Sequence, residues 1–171
     1  TQSSFGGIYT LRRARGDDLG GYHTMGADVT LSTSRFLGDQ NLTWALMGSA
    51  TPAPEVDEDN FAWASFISYP NDIWQATFYT LTVEPNYNPA VGFLRRRDFR
   101  SYNPNVAYSP RPDNHPLIRQ FEFRARMSYI TDLDNDLLTR EIELTPFSVS
   151  SHSGDNVSLN VTPTHELLDR T

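Results

Sequence analysis

The chain contains no cysteine and no lysine. Without cysteine there is no disulfide, no thiolate-bound zinc and no thiol nucleophile. Without lysine, all fourteen basic residues are arginine. Arginine is a planar cation that stays charged when partly buried and grips carboxylates through two parallel bonds, although a GC-rich genome would produce the same bias. Long apolar runs are also missing. No stretch approaches the roughly 18–20 residues of a membrane-crossing helix, which excludes nothing built from strands, since those need only alternate. Positive charge is in the minority: 21 acids leave a net charge of -7, whereas a nucleic-acid-binding face needs a basic surface. No segment longer than about ten residues carries the i, i+3, i+4 pattern of a helix.

Aromatic residues are plentiful, with ten Phe, eight Tyr and three Trp, and they favour strands. Phe5, Gly7, Tyr9 and Leu11 fall on one side of a first strand. Ala27, Val29 and Leu31 alternate with Asp28, Thr30 and Ser32, a period of two. Gly38-Asp39-Gln40-Asn41 turns the chain into Leu42, Trp44 and Leu46, which predicts a hairpin. Gly16-Asp17-Asp18 and Gly20-Gly21 mark an earlier break, and residues 51–60, with two Pro and four acids, a loop. Further strands are expected over 61–69 and 73–83. Residues 102–108 read as a strand that Pro104 confines to an edge or a bulge. The last third predicts a three-strand meander, with Phe121, Phe123, Ala125, Met127 and Tyr129 opposite Gln120, Glu122, Arg124, Arg126 and Ser128. A short turn is expected near His165 to Leu168.

These patterns predict an all-β fold: an antiparallel meander of about eight to ten strands, forming a barrel or barrel segment, with a β-sandwich as the alternative. Residues 1–171 form a single domain with no internal boundary. Thr1 follows no Met and no charged-then-apolar leader, which suggests a segment of a longer protein or a removed signal.

Candidate sites follow from the polar residues. Glu122, Arg124 and Arg126 would neighbour Glu141 and Glu143 if the meander pairs in simple register, as a solvated outer face or a lumen wall. Four arginines, Arg95, Arg96, Arg97 and Arg100, cluster between two Asn-Pro steps. They would pair with acids on neighbouring strands or bind an anion such as a lipid phosphate or acidic sugar. Trp44, Trp63 and Trp74 are either core or platforms for sugar rings. Asp132, Asp134, Asp136 and Glu143 stand at positions 1, 3, 5 and 12 of a calcium-loop spacing, but Leu137 replaces the usual glycine, so a polar turn competes with Ca2+ binding. Glu55, Asp57, Glu58 and Asp59 form an acidic loop able to hold a cation only loosely. His23, His115, His152 and His165 lack the spacing of a metal helix or a nucleophile motif. No catalytic residue and no firm cofactor emerge.

The phrase Asn88-Pro89-Ala90-Val91-Gly92-Phe93, followed by Arg96, Arg97, Arg100, Tyr102, Asn103 and Pro104, resembles an uncharacterised domain of Gram-negative bacteria. This is domain of unknown function 5916, found after a family-9-like carbohydrate-binding module. Arg35-Phe36-Leu37-Gly38, Ser68-Tyr69-Pro70-Asn71-Asp72, Ser109-Pro110-Arg111-Pro112, Phe121-Glu122-Phe123 and Thr131-Asp132-Leu133-Asp134 match in the same order. The resemblance implies an outer-membrane-type β-barrel of which this chain is a part, in the cell envelope and associated with glycans, with no activity to carry over.

The leading expectation is therefore a non-enzymatic envelope barrel segment that binds or passes a glycan-like or small polar ligand. Its partners would be outer-membrane lipid or glycan, with copies of itself if the segment stands alone. The alternative is a soluble, periplasmic or secreted carbohydrate-binding module. A hydrolase of unknown substrate ranks third, because any two carboxylates can meet in space.

Overall fold

The computed structural model describes residues 3–13, 21–53, 58–89 and 92–166. All its regular elements are strands: β1 (Ser4–Arg12), β2 (Tyr22–Phe36), β3 (Gln40–Ala50), β4 (Phe61–Pro70), β5 (Trp74–Val83), β6 (Phe99–Tyr108), β7 (Ile118–Thr131), β8 (Leu137–Ser151), β9 (Asn156–Val161) and β10 (Thr164–Glu166). They form one antiparallel meander in which consecutive strands from β1 to β9 pair along the chain. β8 carries both β9 and β10 on its far edge. Pro163, which has no N–H to give, lies between those two pieces, and its carbonyl accepts from Ile142 N at 3.0 Å. The sheet is open: β1 at one edge, and β9 with β10 at the other, have no second neighbour among the described residues.

Turn chemistry sets these hairpins. Gly38, at φ 112°, takes the left-handed backbone between β2 and β3 that side chains disfavour. Between β7 and β8, the Asp132 carboxylate accepts from Asp136 N at 2.8 Å, and Asn135 occupies φ 73°, the local bonding that makes Asp and Asn turn residues.

The sequence expectations hold for the two-residue rhythm and the strand count. They fail at Pro104, which is in an interior strand between β5 and β7. It faces Phe78 in the β5 ladder, while the ladder to β7 skips from Tyr102 to Asn105. The missing donor is thus accommodated by a local gap rather than by an edge. The expected turn at 165–168 begins instead as β10, while Leu167 and Leu168 lie outside the described residues, as do Gly16, Asp17, Asp18 and Gly20.

The ladders sort most side chains by polarity, with Met47 and Phe66 on the polar side and Thr80 and Thr82 on the apolar side among the exceptions. One row runs Ser32, Thr43, Ser68, Thr77, Asn105, Arg126, Glu143 across seven strands. On the opposite face a row runs Tyr69, Ala76, Val106, Ala125, Leu144, Val161. Another runs Leu31, Trp44, Ile67, Phe78, Pro104. β8 keeps this sorting through one extra residue near Pro146. Arg124 faces Thr145 while Glu122 faces Ser148, and Leu144 faces Val161 while Phe147 faces Leu159. Such a bulge shifts the register by one residue, so Leu144 and Phe147 share a face although they are three apart.

Burial is inverted relative to an ordinary sheet protein. The buried apolar residues are Ala62, Ala64, Val83 and Ala107, all on the polar-row side by register. The larger apolar side chains of the other face are exposed, among them Leu31, Trp44, Ile67, Val106 and Leu144. The molecule exposes 11894 Å² at 19.4 kDa. A compact monomer of that mass would expose about 8,500 Å². A single curtain of strands has no second layer to cover its apolar side.

Candidate functional site

Two faces and one loop carry the chemistry. On the polar face, β7 holds Arg124 and Arg126 two residues apart, so both project to the same side. Arg124 Nε meets Glu122 Oε1 at 3.0 Å, along the same strand. Its Nη1 donates to Asn105 Oδ1 at 3.4 Å, and Asn105 Nδ2 donates to Thr77 Oγ1 at 3.4 Å. Arg126 Nη1 reaches across to Glu143 Oε2 on β8 at 3.2 Å. Glu141 faces Ser128 and makes no ion pair among the described residues.

The expected neighbourhood therefore forms only in part. Arg126 and Glu143 are direct partners, whereas Arg124 faces Thr145 in the same register, and Glu122, past the extra residue in β8, faces Ser148. An open cavity of about 460 Å³ lies over this region, walled by Thr77, Tyr79, Asn103, Asn105, Arg126, Ser128, Glu141 and Glu143. Arg126 is matched by Glu143, Glu141 adds a second carboxylate, and hydroxyls, amides, one phenol ring, Pro104 and Met127 complete the wall. That mixture of donors and acceptors suits water or a small polar solute. Thr77, Tyr79, Asn103 and Asn105 were not singled out from sequence. Their signal was present as alternation in residues 75–83 and 99–108, but aromatics on both sides of β5 obscured it.

The three tryptophans share the opposite face. None is core: Trp44, Trp63 and Trp74 are 40%, 37% and 52% exposed. Trp44 Nε1 donates to Ser65 Oγ at 3.0 Å. Trp74 stacks on Tyr108 at 4.4 Å, and Tyr108 on Phe123 at 6.2 Å. Phe36 and Tyr69 meet edge to face at the same rim. Tyr9, Phe61, Tyr102 and Tyr129 stand near the other strand ends, with Tyr102 and Tyr129 6.4 Å apart. The apolar face is thus bordered by aromatic rings at both rims.

The arginine cluster is divided. Arg100 is the second residue of β6, and its Nη1 donates to Asn135 Oδ1 at 2.8 Å. Arg95, Arg96 and Arg97 belong to the loop between β5 and β6, and none pairs with a carboxylate among the described residues. That loop is tied down near its start. Asn86 N donates to Asp59 O at 2.8 Å, Asn88 N to Thr51 Oγ1 at 2.9 Å, and Tyr87 Oη to Ser49 Oγ at 3.2 Å. Tyr87 and Leu94 line a cavity with Ser49, Ala62, Ala64 and Val83, so the loop lies over the polar face at this rim.

Asp132, Asp134 and Asp136 sit in the β7–β8 turn, while Glu143 is well along β8 and engaged by Arg126. The calcium spacing does not bring its fourth carboxylate to the turn, because an extended strand carries it away at about 3.4 Å per residue. No group of three or more His, Asp or Glu able to hold a metal ion occurs among the described residues. Glu55 and Asp57 of the acidic loop lie outside them. His23 pairs with Tyr9 Oη at 2.8 Å, and His115 Nδ1 accepts from Ile118 N at 2.9 Å. His152 Nε2 lies 3.1 Å from His115 O. Compared with family models, curated proteins and solved structures, the chain matches none.

Proposed function

We propose that this chain is a wall of an envelope β-barrel. Its apolar face meets lipid, and its polar face lines a watery passage that binds or conducts a glycan-like or other small polar solute, without catalysis. The observation that carries this reading is the inverted burial. Leu31, Trp44, Ile67, Val106 and Leu144 are exposed on one face, while the buried Ala62, Ala64, Val83 and Ala107 and the ion-paired Arg124 and Arg126 lie on the other. Membrane barrels alternate in this sense, with aromatic girdles at both interfaces. The dimensions agree. From Met25 to Phe36, β2 rises about 37 Å at roughly 3.4 Å per residue, which a tilt of about 45° reduces to about 26 Å, close to the apolar band of roughly 25 Å in such barrels. The resemblance to domain of unknown function 5916 supports the same setting. Closure needs strands at both open edges, from further strands of the same polypeptide or from another copy.

The exposed Trp74, Tyr108 and Phe123 stack favours a second reading, a soluble module whose aromatic platform stacks on sugar rings. Lipids brominated at different depths separate the two. With single-tryptophan variants in liposomes, deep bromines should quench Trp44 most strongly, and shallow bromines Trp74. A chain that stays monodisperse in plain buffer, shows no lipid quenching and loses Trp emission on adding sugars would overturn the barrel reading in favour of the second.

A further inference from the structure

A small hollow of about 130 Å³ opens at the rim where the start of β2 meets the β5–β6 loop. Tyr22, His23, Thr51, Asn86, Asn88 and Arg97 wall it. No carboxylate is among them, in a chain with 21 acids. The Arg97 guanidinium has five N–H donors and no hydrogen bond or ion pair among the described residues.

The surrounding backbone is already anchored. Asn86 Nδ2 donates to Glu58 O at 3.1 Å, and Asn88 N donates to Thr51 Oγ1 at 2.9 Å. The side-chain amide of Asn88 is therefore placed at the hollow without being used. His23 Nδ1 lies 2.8 Å from Tyr9 Oη. When that hydroxyl donates, the neutral ring keeps its proton on Nε2, a further donor. The volume equals about four waters at roughly 30 Å³ each, enough for one tetrahedral group.

The geometry points to an oxyanion site centred on Arg97, which takes a phosphate group. An unpaired guanidinium with neutral donors around it, and no carboxylate among the described residues of the wall, is the arrangement that binds phosphate oxygens through charge-assisted hydrogen bonds. The group can come from a lipid headgroup at the rim or from free phosphate. The site itself does not rest on the bilayer reading.

The test is calorimetric titration of the full chain, in an uncharged maltoside detergent, with inorganic phosphate and with the soluble phosphodiester glycerophosphoglycerol. Saturable binding is expected, weakened roughly tenfold or more by Arg97→Gln and several-fold by Asn88→Ala. Arg96→Gln, which removes the same charge from the same loop but away from the hollow, should change it less than about twofold. Diester binding as tight as phosphate assigns the site to a lipid headgroup. Rejection of the diester assigns it to free phosphate. Absence of saturable binding, or equal losses in Arg96→Gln and Arg97→Gln, overturns the site and leaves only diffuse attraction. Unchanged far-ultraviolet spectra show that the variants keep the sheet.

Discussion

Arg124 and Arg126 are two residues apart on one strand, yet their environments differ. Arg124 is the more buried and has two partners, Glu122 and Asn105. Arg126 is about half exposed and has one, Glu143. Exposed pairs are worth little because solvent screens them and long side chains lose freedom. Arg124→Ala should therefore cost about 1–2 kcal/mol in a denaturant titration, since it also strands a half-buried Glu122. Arg126→Ala should cost less than about 1 kcal/mol. Equal costs would mean that the Asn105 bond contributes nothing. Gly48 tells a similar local story on the other face. A Cβ there would stand 2.9 Å from Phe61 Cζ, so the ring lies where a side chain would be and covers the glycine. Gly48→Ala should destabilise by about 1 kcal/mol, and the loss should shrink when combined with Phe61→Leu, a coupling that a double-mutant cycle reads directly.

At the level of elements, the extra residue near Pro146 keeps the two ends of β8 consistent. Deleting Pro146 joins Thr145 to Phe147 and restores strict alternation, with Leu144 and Phe147 still on the apolar face. The deletion should therefore fold, with stability within about 1 kcal/mol of the parent. Inserting an alanine between Glu141 and Ile142 reverses one part of the strand and should abolish folding. The absence of native cysteine makes the faces easy to read. In liposomes, a water-soluble maleimide should label cysteine at Ser68 and spare cysteine at Ile67, with the same two-residue rhythm along β5. Labelling without that rhythm would mean that neither face is covered. The rhythm was legible in the sequence for much of β2, β3, β7 and β8 because polar and apolar residues mostly alternate there, with the extra residue near Pro146 as a break inside β8. Pro104 misled for a physical reason: a missing donor forbids one ladder bond, and the chain met that with a two-residue gap inside the sheet instead of a place at its edge.

Over the whole molecule, stability should be greatest in the interior of the sheet. β4 to β7 have ladder partners on both sides, whereas β1 and the β9–β10 strand have a free edge. Amide hydrogen exchange of the isolated chain should be at least about a hundredfold slower in β4 to β7 than in β1 and β9. Strands added at the edges, by another copy or by more of the same polypeptide, should slow the edge amides selectively. Uniform protection across the sheet would mean that the edges are already closed.

The amino-acid order alone determined which side chains travel together, because an extended backbone sends each successive Cβ to the opposite side whatever lies around it. It could not say which side would be left bare, since alternation looks the same around a soluble core and around a lipid-facing wall. The tertiary ladders showed which residues are covered, with Ala62, Ala64, Val83 and Ala107 buried on the polar-row side and the tryptophans exposed on the other. They also decided partners. The register of β7 against β8 divided the expected five-residue charge cluster into two separate pairs and a lone Glu141, by setting Glu143 across from Arg126 and Ser128 across from Glu141, and residue spacing alone does not reveal that register.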